Sequence, residues 1–378
     1  MKIAVDCRML NKRIGMARVT YNLLLNLKKL DKNNEFIVDL LFDREVDNVN
    51  RKKWIKLGYN VKIIKCKNYF LWEQFFMPIY CRKNKYNCTI FMLNTGSIFI
   101  RPSKFVIGYI HDVIYMKSKK IIPYSRSLYK FVGRLYRKLI VPLFAKKTNY
   151  IITVSKFSKF DIINELKCDP KKIIVNYNGF DSFGSVNKVS NIYGNYIFAL
   201  GSIDSRKNTD LVIKYFYKIN KINEFNDYKL ILSGIENFNE TCLGKLAKKL
   251  NIRNKIISLG FVDDNQLFNL YRNAKVFLFL SSYEGFGLPL LEAMYCGVPI
   301  VSSKLTCIPE IADDAAIYVD IYNETEVVDT VVKVLSNIRL RKDIIKNGYI
   351  RVKQFTWIKS CVKLKFVLQK IENFYNKK

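Results

Sequence analysis

Glu284 and Glu292 stand at the two ends of EGFGLPLLE, and Arg206 and Lys207 stand side by side in GSIDSRKN. Each stretch follows an apolar run, KVFLFL in the first case and YIFAL in the second, and each leads into an amphipathic one. That is the pattern of a strand, a glycine loop and a helix. In the first stretch Gly285 and Gly287 let the backbone come close to a ligand, Pro289 suits a first helical turn, and Gly297 ends the helix. The N–H groups around Leu288 are then available to a diphosphate. A plain turn with two solvated acids fits the same residues. In the second stretch two cations precede a helix capped by Asn208 or Thr209; cations there oppose the helix dipole, which favours a role on phosphate oxygens, with Gly201 opening the loop. KRIGMARVT offers a weaker loop, in which Gly15 is the one residue that could bring N–H groups to an anion and Arg18 reads as a surface residue. YIHDVIY carries His111, the single histidine of 378 residues. An isolated imidazole is ordinarily hydrogen-bonded into its surroundings, and residue types alone leave its role open.

The elements that position these residues alternate short apolar strands with amphipathic helices, the mark of an α/β fold with parallel sheets. Strands are expected at KIAVDC, FIVDLLF, VKIIKC, CTIFML, KFVIGYIH and YIITVS, and again at YIFALGS, YKLILSG, KIISLGF, KVFLFLS and PIVSS. KIAVDC leads through NKRIGMAR into the helix VTYNLLLNLKKL. The Gly-, Asn- and Ser-rich stretch near residues 179–194 reads as a linker, giving domains at 1–185 and 186–355, with 356–378 as a C-terminal helix crossing back to the first. Two doubly wound domains facing a cleft would hold ligands at the carboxyl ends of their strands.

Composition narrows the class. No run approaches the ~18 apolar residues of a membrane span, and the start lacks a leader pattern, so a cytoplasmic protein is expected. Nine scattered cysteines without a CxxC pair read as reduced core thiols, and with one histidine a metal site is not expected. The formal charge is +32; residues 1–185 hold 36 basic against 13 acidic side chains. No acid occurs between Asp112 and Asp161, where Lys117, Lys119, Lys120, Arg126, Lys130, Arg134, Arg137, Lys138, Lys146 and Lys147 alternate with apolar residues. Such a surface suits a solvated face, anionic lipid or nucleic acid, and the sequence carries no nucleic-acid-binding signature.

Together these stretches resemble glycosyltransferase family 4, the retaining GT-B enzymes of group 1. EGFGLPLLE matches the family's paired glutamates and GSIDSRKN its Gly-to-Arg-Lys loop; RIGMARVT and YIHDVIY look like its first loop and its His-Asp strand end. ITVSKFSKFD, LGFVDDNQLFNLYRNAKVFLFLSS and FTWIKS also fit, so the likeness runs nearly the whole length. Ala17 replaces a usual glycine, Val19 a frequent aromatic and Leu280 a common proline.

The resemblance implies two Rossmann-like domains, acceptor-binding first and donor-binding second. It implies Arg206 and Lys207 on a diphosphate, Glu292 on the ribose, Glu284 on sugar hydroxyls, His111 against the donor sugar, and Gly15, Gly201, Phe261, Val262, Gly285, Phe286, Gly287 and Leu288 lining the donor. The expected reaction moves mannose or a related hexose from a nucleoside diphosphate sugar, with GDP preferred over UDP and neither metal nor cofactor, to a lipid-linked saccharide in bacterial surface polysaccharide (O-antigen, lipopolysaccharide) assembly. The likeness is to mannosyltransferases and rhamnosyltransferases, and an anionic membrane at the inner face of the plasma membrane is the expected partner of the basic domain. A GT-B epimerase or hydrolase, and a basic nucleic-acid-binding protein, are the alternatives.

Overall fold

A computed structural model describes residues 1–10, 15–118 and 128–376. The chain forms two compact units. One gathers Met1–Lys117, Tyr124–Gly179 and Thr356–Lys378, and the other is built on Phe180–Phe355.

The first unit holds strands β1 (Lys2–Asp6), β2 (Ile37–Phe42), β3 (Asn60–Ile63), β4 (Cys88–Phe91), β5 (Phe105–Tyr109), β6 (Tyr150–Thr153) and β7 (Ile173–Val175). They form a parallel sheet in the order β3-β2-β1-β4-β5-β6-β7. The strand order reverses between β1 and β4, so the loops after these two strands open side by side. The second unit holds β8 (Tyr196–Leu200), β9 (Lys229–Ser233), β10 (Ile256–Ser258), β11 (Val276–Phe279), β12 (Ile300–Ser303) and β13 (Ile317–Val319), ordered β10-β9-β8-β11-β12-β13 and again parallel. Its reversal lies between β8 and β11. Central strands such as VFLF and LIL are buried along their whole length, as sheets covered by helices on both faces require.

The eleven expected strands form, and two more, β7 and β13, close one edge of each sheet. Two points differ from the sequence reading, the start of the first helix and the start of the second unit, while the C-terminal helix joins the first unit as expected. The first helix starts at Gly15, not at Val19, and runs to Leu30, so Gly15 and Arg18 belong to its opening turn and not to a loop; Lys12 and Arg13 lie outside the described residues. The second unit begins at Phe180, ahead of the expected residue 186, because Phe180 and Phe183 pack on Tyr295 and Phe183 also on Phe268 of that unit. The helix Trp357–Asn376 completes the first unit: Cys361 lies against the Leu23 carbonyl, Lys365 Nζ donates to the Leu30 carbonyl at 3.1 Å, and Phe374 meets the Phe105 ring edge-on. Where the chain leaves this unit, a side chain on Gly179 would come within 2.1 Å of the Trp357 backbone nitrogen, so only glycine fits. No described helix is long and apolar enough to cross a membrane.

Candidate functional site

In the second unit β8 and β11 are neighbours, so the loops that follow them meet at the point where the strand order reverses. After β8 the chain turns at buried Gly201, makes a 3-10 turn over Ser205–Lys207 and enters the helix Thr209–Asn220. Gly201 has no room for a side chain, since a Cβ there would press within 2.6 Å of Ile235. The expected cap at Asn208 works differently: its side chain donates to the Leu280 carbonyl at 2.7 Å, tying the two loops together, while its backbone adopts a left-handed turn. The backbone N–H of Ser282 donates to the Arg206 carbonyl at 2.8 Å and makes a second tie.

After β11 the loop carries Glu284 to the cations. Lys207 Nζ lies 2.6 Å from one carboxylate oxygen and Arg206 Nη1 lies 3.2 Å from the other. Burial alone would raise the carboxyl's pKa, but the two cations and the hydrogen bonds from Lys207 and Ser281 outweigh it and hold Glu284 below the usual carboxylate range. Arg206 is oriented further by Asp204, at 2.9 Å, and by the Tyr283 carbonyl. Lys207 also sits over the Phe279 ring. The Glu284 backbone is pinned from behind by Thr306 and Cys307. Gly287, at φ +87°, bends the chain into the helix Leu288–Cys296, with Pro289 in its first turn. That helix points its N-terminus out of the same loop, beside Gly285 and the buried Phe286.

Glu292 lies inside this helix and is buried, with the Tyr271 hydroxyl 3.1 Å from its carboxylate. Phe261 and Val262 follow β10, on the edge of the sheet; the Phe261 side chain is exposed and its N–H donates to Glu236 at 3.2 Å. The structure therefore brings Gly201, Arg206, Lys207, Glu284 and the 285–288 backbone together around two adjacent strands. Asp204, Tyr283, Thr306 and Tyr271 were missed by sequence reasoning; the last three act on partners 21 or more positions away, and Asp204, two residues from Arg206, carried no motif of its own.

His111 follows β5 in the first unit. Its ring Nε2 donates to the Met92 carbonyl at 3.0 Å, and its backbone N–H donates to Asn94 Oδ1 at 2.7 Å. A carbonyl can only accept, so the proton sits on Nε2 and Nδ1 remains an acceptor. Burial pushes the imidazole pKa down to about 4, the Met92 carbonyl partly opposing it, so the ring is neutral at pH 7. Asn94 takes a left-handed backbone turn and leads into Thr95. Thr95 donates to Glu73 at 2.7 Å, and Glu73 shares buried Arg8 with Asp6, also at 2.7 Å. Glu73 projects from a π-helical turn, Trp72–Phe76, a distortion frequent at functional sites. This buried triad anchors the loop after β4 that holds His111, and the sequence reading found none of it. Gly15 lies at a helix start with open space beside it and no positive φ.

Two parallel-sheet α/β units with these strand orders define the GT-B fold of glycosyltransferases. Anabaena HepE, solved in complex with UDP and glucose, superposes with a TM-score of 0.73 at 16% identity over 98% of this chain and 100% of that one. Residues 187–351 match the family model described as glycosyl transferases group 1. That segment lies inside the second unit and contains the EGFGLPLLE and GSIDSRKN stretches; RIGMARVT and YIHDVIY fall outside it. O-antigen chain mannosyltransferase B of Escherichia coli is 30% identical over 217 residues, 55% of this chain and 57% of that protein, so the chain spans little more than half of that relative. N-acetylgalactosamine-N,N'-diacetylbacillosaminyl-diphospho-undecaprenol 4-alpha-N-acetylgalactosaminyltransferase of Campylobacter jejuni is 24% identical over 75% of this chain and 78% of its own length.

Proposed function

We propose that the protein is a glycosyltransferase of polysaccharide biosynthesis that takes a hexose from a nucleoside diphosphate sugar and delivers it, with retention at the anomeric carbon, to a lipid-linked saccharide. The observation that carries this reading is the ion-paired cluster of Arg206, Lys207 and Glu284 beside the N-terminus of the Leu288–Cys296 helix. Breaking the bond between sugar and diphosphate leaves negative charge on the diphosphate. Two cations held in place beforehand, with helix N–H groups beside them, stabilise that charge without reorganising. In the same step an acceptor hydroxyl oxygen bonds to the anomeric carbon on the face the diphosphate leaves, and its proton passes to the departing phosphate oxygen. The described donor-side residues offer fixed cations in the place of a metal.

Glu284 has two tasks in this scheme: it holds the cations apart before the donor binds, and it accepts from sugar hydroxyls once they turn to phosphate. Glu292 takes the ribose. His111 accepts from a sugar hydroxyl through Nδ1, since Nε2 is already committed to Met92. Mannose or a related hexose is the preferred sugar, and GDP the preferred nucleotide over UDP, in keeping with the mannosyltransferase named above; the undecaprenol-linked substrate in the Campylobacter relative's name supports a lipid-linked acceptor. A lipid-linked acceptor of this kind is in keeping with work at the inner face of the plasma membrane.

Thermal unfolding with GDP, UDP, ADP and dTDP in turn, each with and without EDTA, tests the reading. A nucleotide at about 100 times its Kd adds roughly 2.7 kcal/mol of stability. Stabilisation by one nucleotide despite EDTA is expected. No response to any of them would remove the proposal. Nucleotide release that needs no acceptor would instead point to a hydrolase or epimerase.

A further inference from the structure

Backbone pairing between β11 and β12 ends at Phe279 and Ser302, yet the loops beyond them stay in step. Side chains of SSKLTC, the end of β12 and the loop after it, take over from the ladder. Ser302 Oγ donates to the Phe279 carbonyl at 2.9 Å, and Ser303 Oγ donates to the Ser281 carbonyl at 2.6 Å. Thr306 Oγ1 then accepts from the Glu284 N–H at 3.2 Å, and Cys307 Sγ donates to the Glu284 carbonyl at 3.2 Å. Both backbone groups of Glu284 are thus gripped by consecutive residues of a neighbouring loop, while its side chain faces Arg206 and Lys207. Ser302, Ser303 and Cys307 are fully buried, which shields these bonds from water. The grip has a conformational cost. Thr306 has φ +58° and is the one β-branched residue with a positive φ among the described residues; most of the other non-glycine ones are asparagine, which tolerates that region. A threonine held there is strained, and such strain collects where a site requires a particular backbone.

We infer that Thr306 is a positioning residue of the transfer reaction: it fixes the backbone of Glu284, and through it the carboxylate against the two cations, by holding its own backbone in an unfavourable turn. A turn needed only for chain direction is better served by glycine or asparagine, as at Gly287, Gly297 and Asn208. Neither can replace threonine in this contact. Glycine has no acceptor, and asparagine carries its oxygen one bond farther out. The threonine hydroxyl sits on Cβ, and the branch at that carbon restricts its rotation, so the oxygen stays where the Glu284 N–H meets it. The inference rests on the role proposed for Glu284, and it assigns no contact between Thr306 and the substrate.

The test compares Thr306→Gly, which accepts the left-handed turn without strain but lacks the hydroxyl, with Thr306→Ser, which keeps it. In the glycine variant kcat with a hexose donor should fall roughly tenfold or more, because Glu284 is no longer held in place. Its melting temperature should not fall, since relief of strain offsets the added freedom of the unfolded chain. Thr306→Asn should behave like the glycine variant, and Thr306→Ser should recover most of the turnover. Stabilisation by nucleotide alone should match the wild type in all three, because Glu284 is assigned to the donor's hexose. A second readout needs no turnover: the drop in melting temperature caused by Glu284→Gln at neutral pH should be smaller in the Thr306→Gly background, where the ion pair is already loosened. The inference is overturned if Thr306→Gly turns over like the wild type, if the two drops are equal, if turnover and melting temperature are lost together without recovery in Thr306→Ser, or if the glycine and asparagine variants both unfold. Should no nucleotide stabilise the wild type and no donor turn over, the transferase reading fails, while the comparison of the two drops still decides whether Thr306 places Glu284.

Discussion

Lys207 Nζ and Glu284 Oε1 lie 2.6 Å apart although their loops follow different strands. Because β8 and β11 are neighbours, the ion pair locks the loop that follows β8 to the loop that follows β11. Replacing Glu284 with glutamine should therefore disturb both cations. Its folded-state pKa is depressed from the ordinary 4.5, so the stability it contributes is present above that value and lost as pH falls through the lower, folded one. Melting curves of wild type and Glu284→Gln should differ at neutral pH and converge in acid. A gap that persists unchanged to the lowest pH would contradict the ion-pair assignment.

Arg206→Ala should leave a folded protein, because the side chain is partly exposed and its ties to Ser282 run through the backbone carbonyl. Charge-assisted hydrogen bonds are worth about 1.5–3 kcal/mol, so transfer should fall roughly 10- to 150-fold. Steady-state turnover with a hexose donor reads this directly, and wild-type turnover would remove Arg206 from the reaction.

His111 is the only histidine, so one imidazole signal in a nitrogen-labelled sample reports on it alone. The signal should show the Nε2–H tautomer at neutral pH and titrate near 4, well below the ordinary 6.5. The sign follows from linkage: between those values the unfolded chain binds more protons, so His111 makes the protein less stable as pH falls from 6.5 towards 4. Titration near 6.5 would mean that the ring is not buried as described.

Two glycines should respond in opposite ways. Gly15 opens a helix with free space around it, so Gly15→Ala should keep the fold and raise stability by up to ~1 kcal/mol. Gly179→Ala would drive a methyl group into the Thr356–Trp357 backbone, and soluble expression or melting temperature should collapse. If Gly15→Ala instead abolished turnover at full stability, the first-loop role suggested by RIGMARVT would be restored.

Much of this was legible because the informative patterns are local. A buried parallel strand is a continuous apolar run, and the glycines, proline and cations of the two second-unit loops announce a turn and a helix start. β7 and β13 escaped because IIV and IYV are three-residue edge strands, too short to show a period. The first helix began early because nothing in GMAR forbids helix, and the glycine that suggested a loop needs no special dihedral there. The Asp6–Arg8–Glu73 triad could not be read at all: Arg8 and Glu73 lie 65 positions apart, and a charge whose partner is remote looks like any surface charge. Nor could the bond from His111 to Met92, since a backbone carbonyl leaves no mark on the sequence.

The packing of Trp357–Asn376 on the first unit sets an order of events during synthesis. The sheet from β1 to β7 is made early, but the helix that lies along Leu23 and Leu30 leaves the ribosome only after all of Phe180–Phe355 has been made. Until then part of the first unit's apolar surface has no cover, while the second unit, continuous in sequence, can close on its own. The first domain to be translated is thus the last to be finished, and a ribosome stalled before Thr356 would expose an incomplete sheet unit to chaperones and proteases.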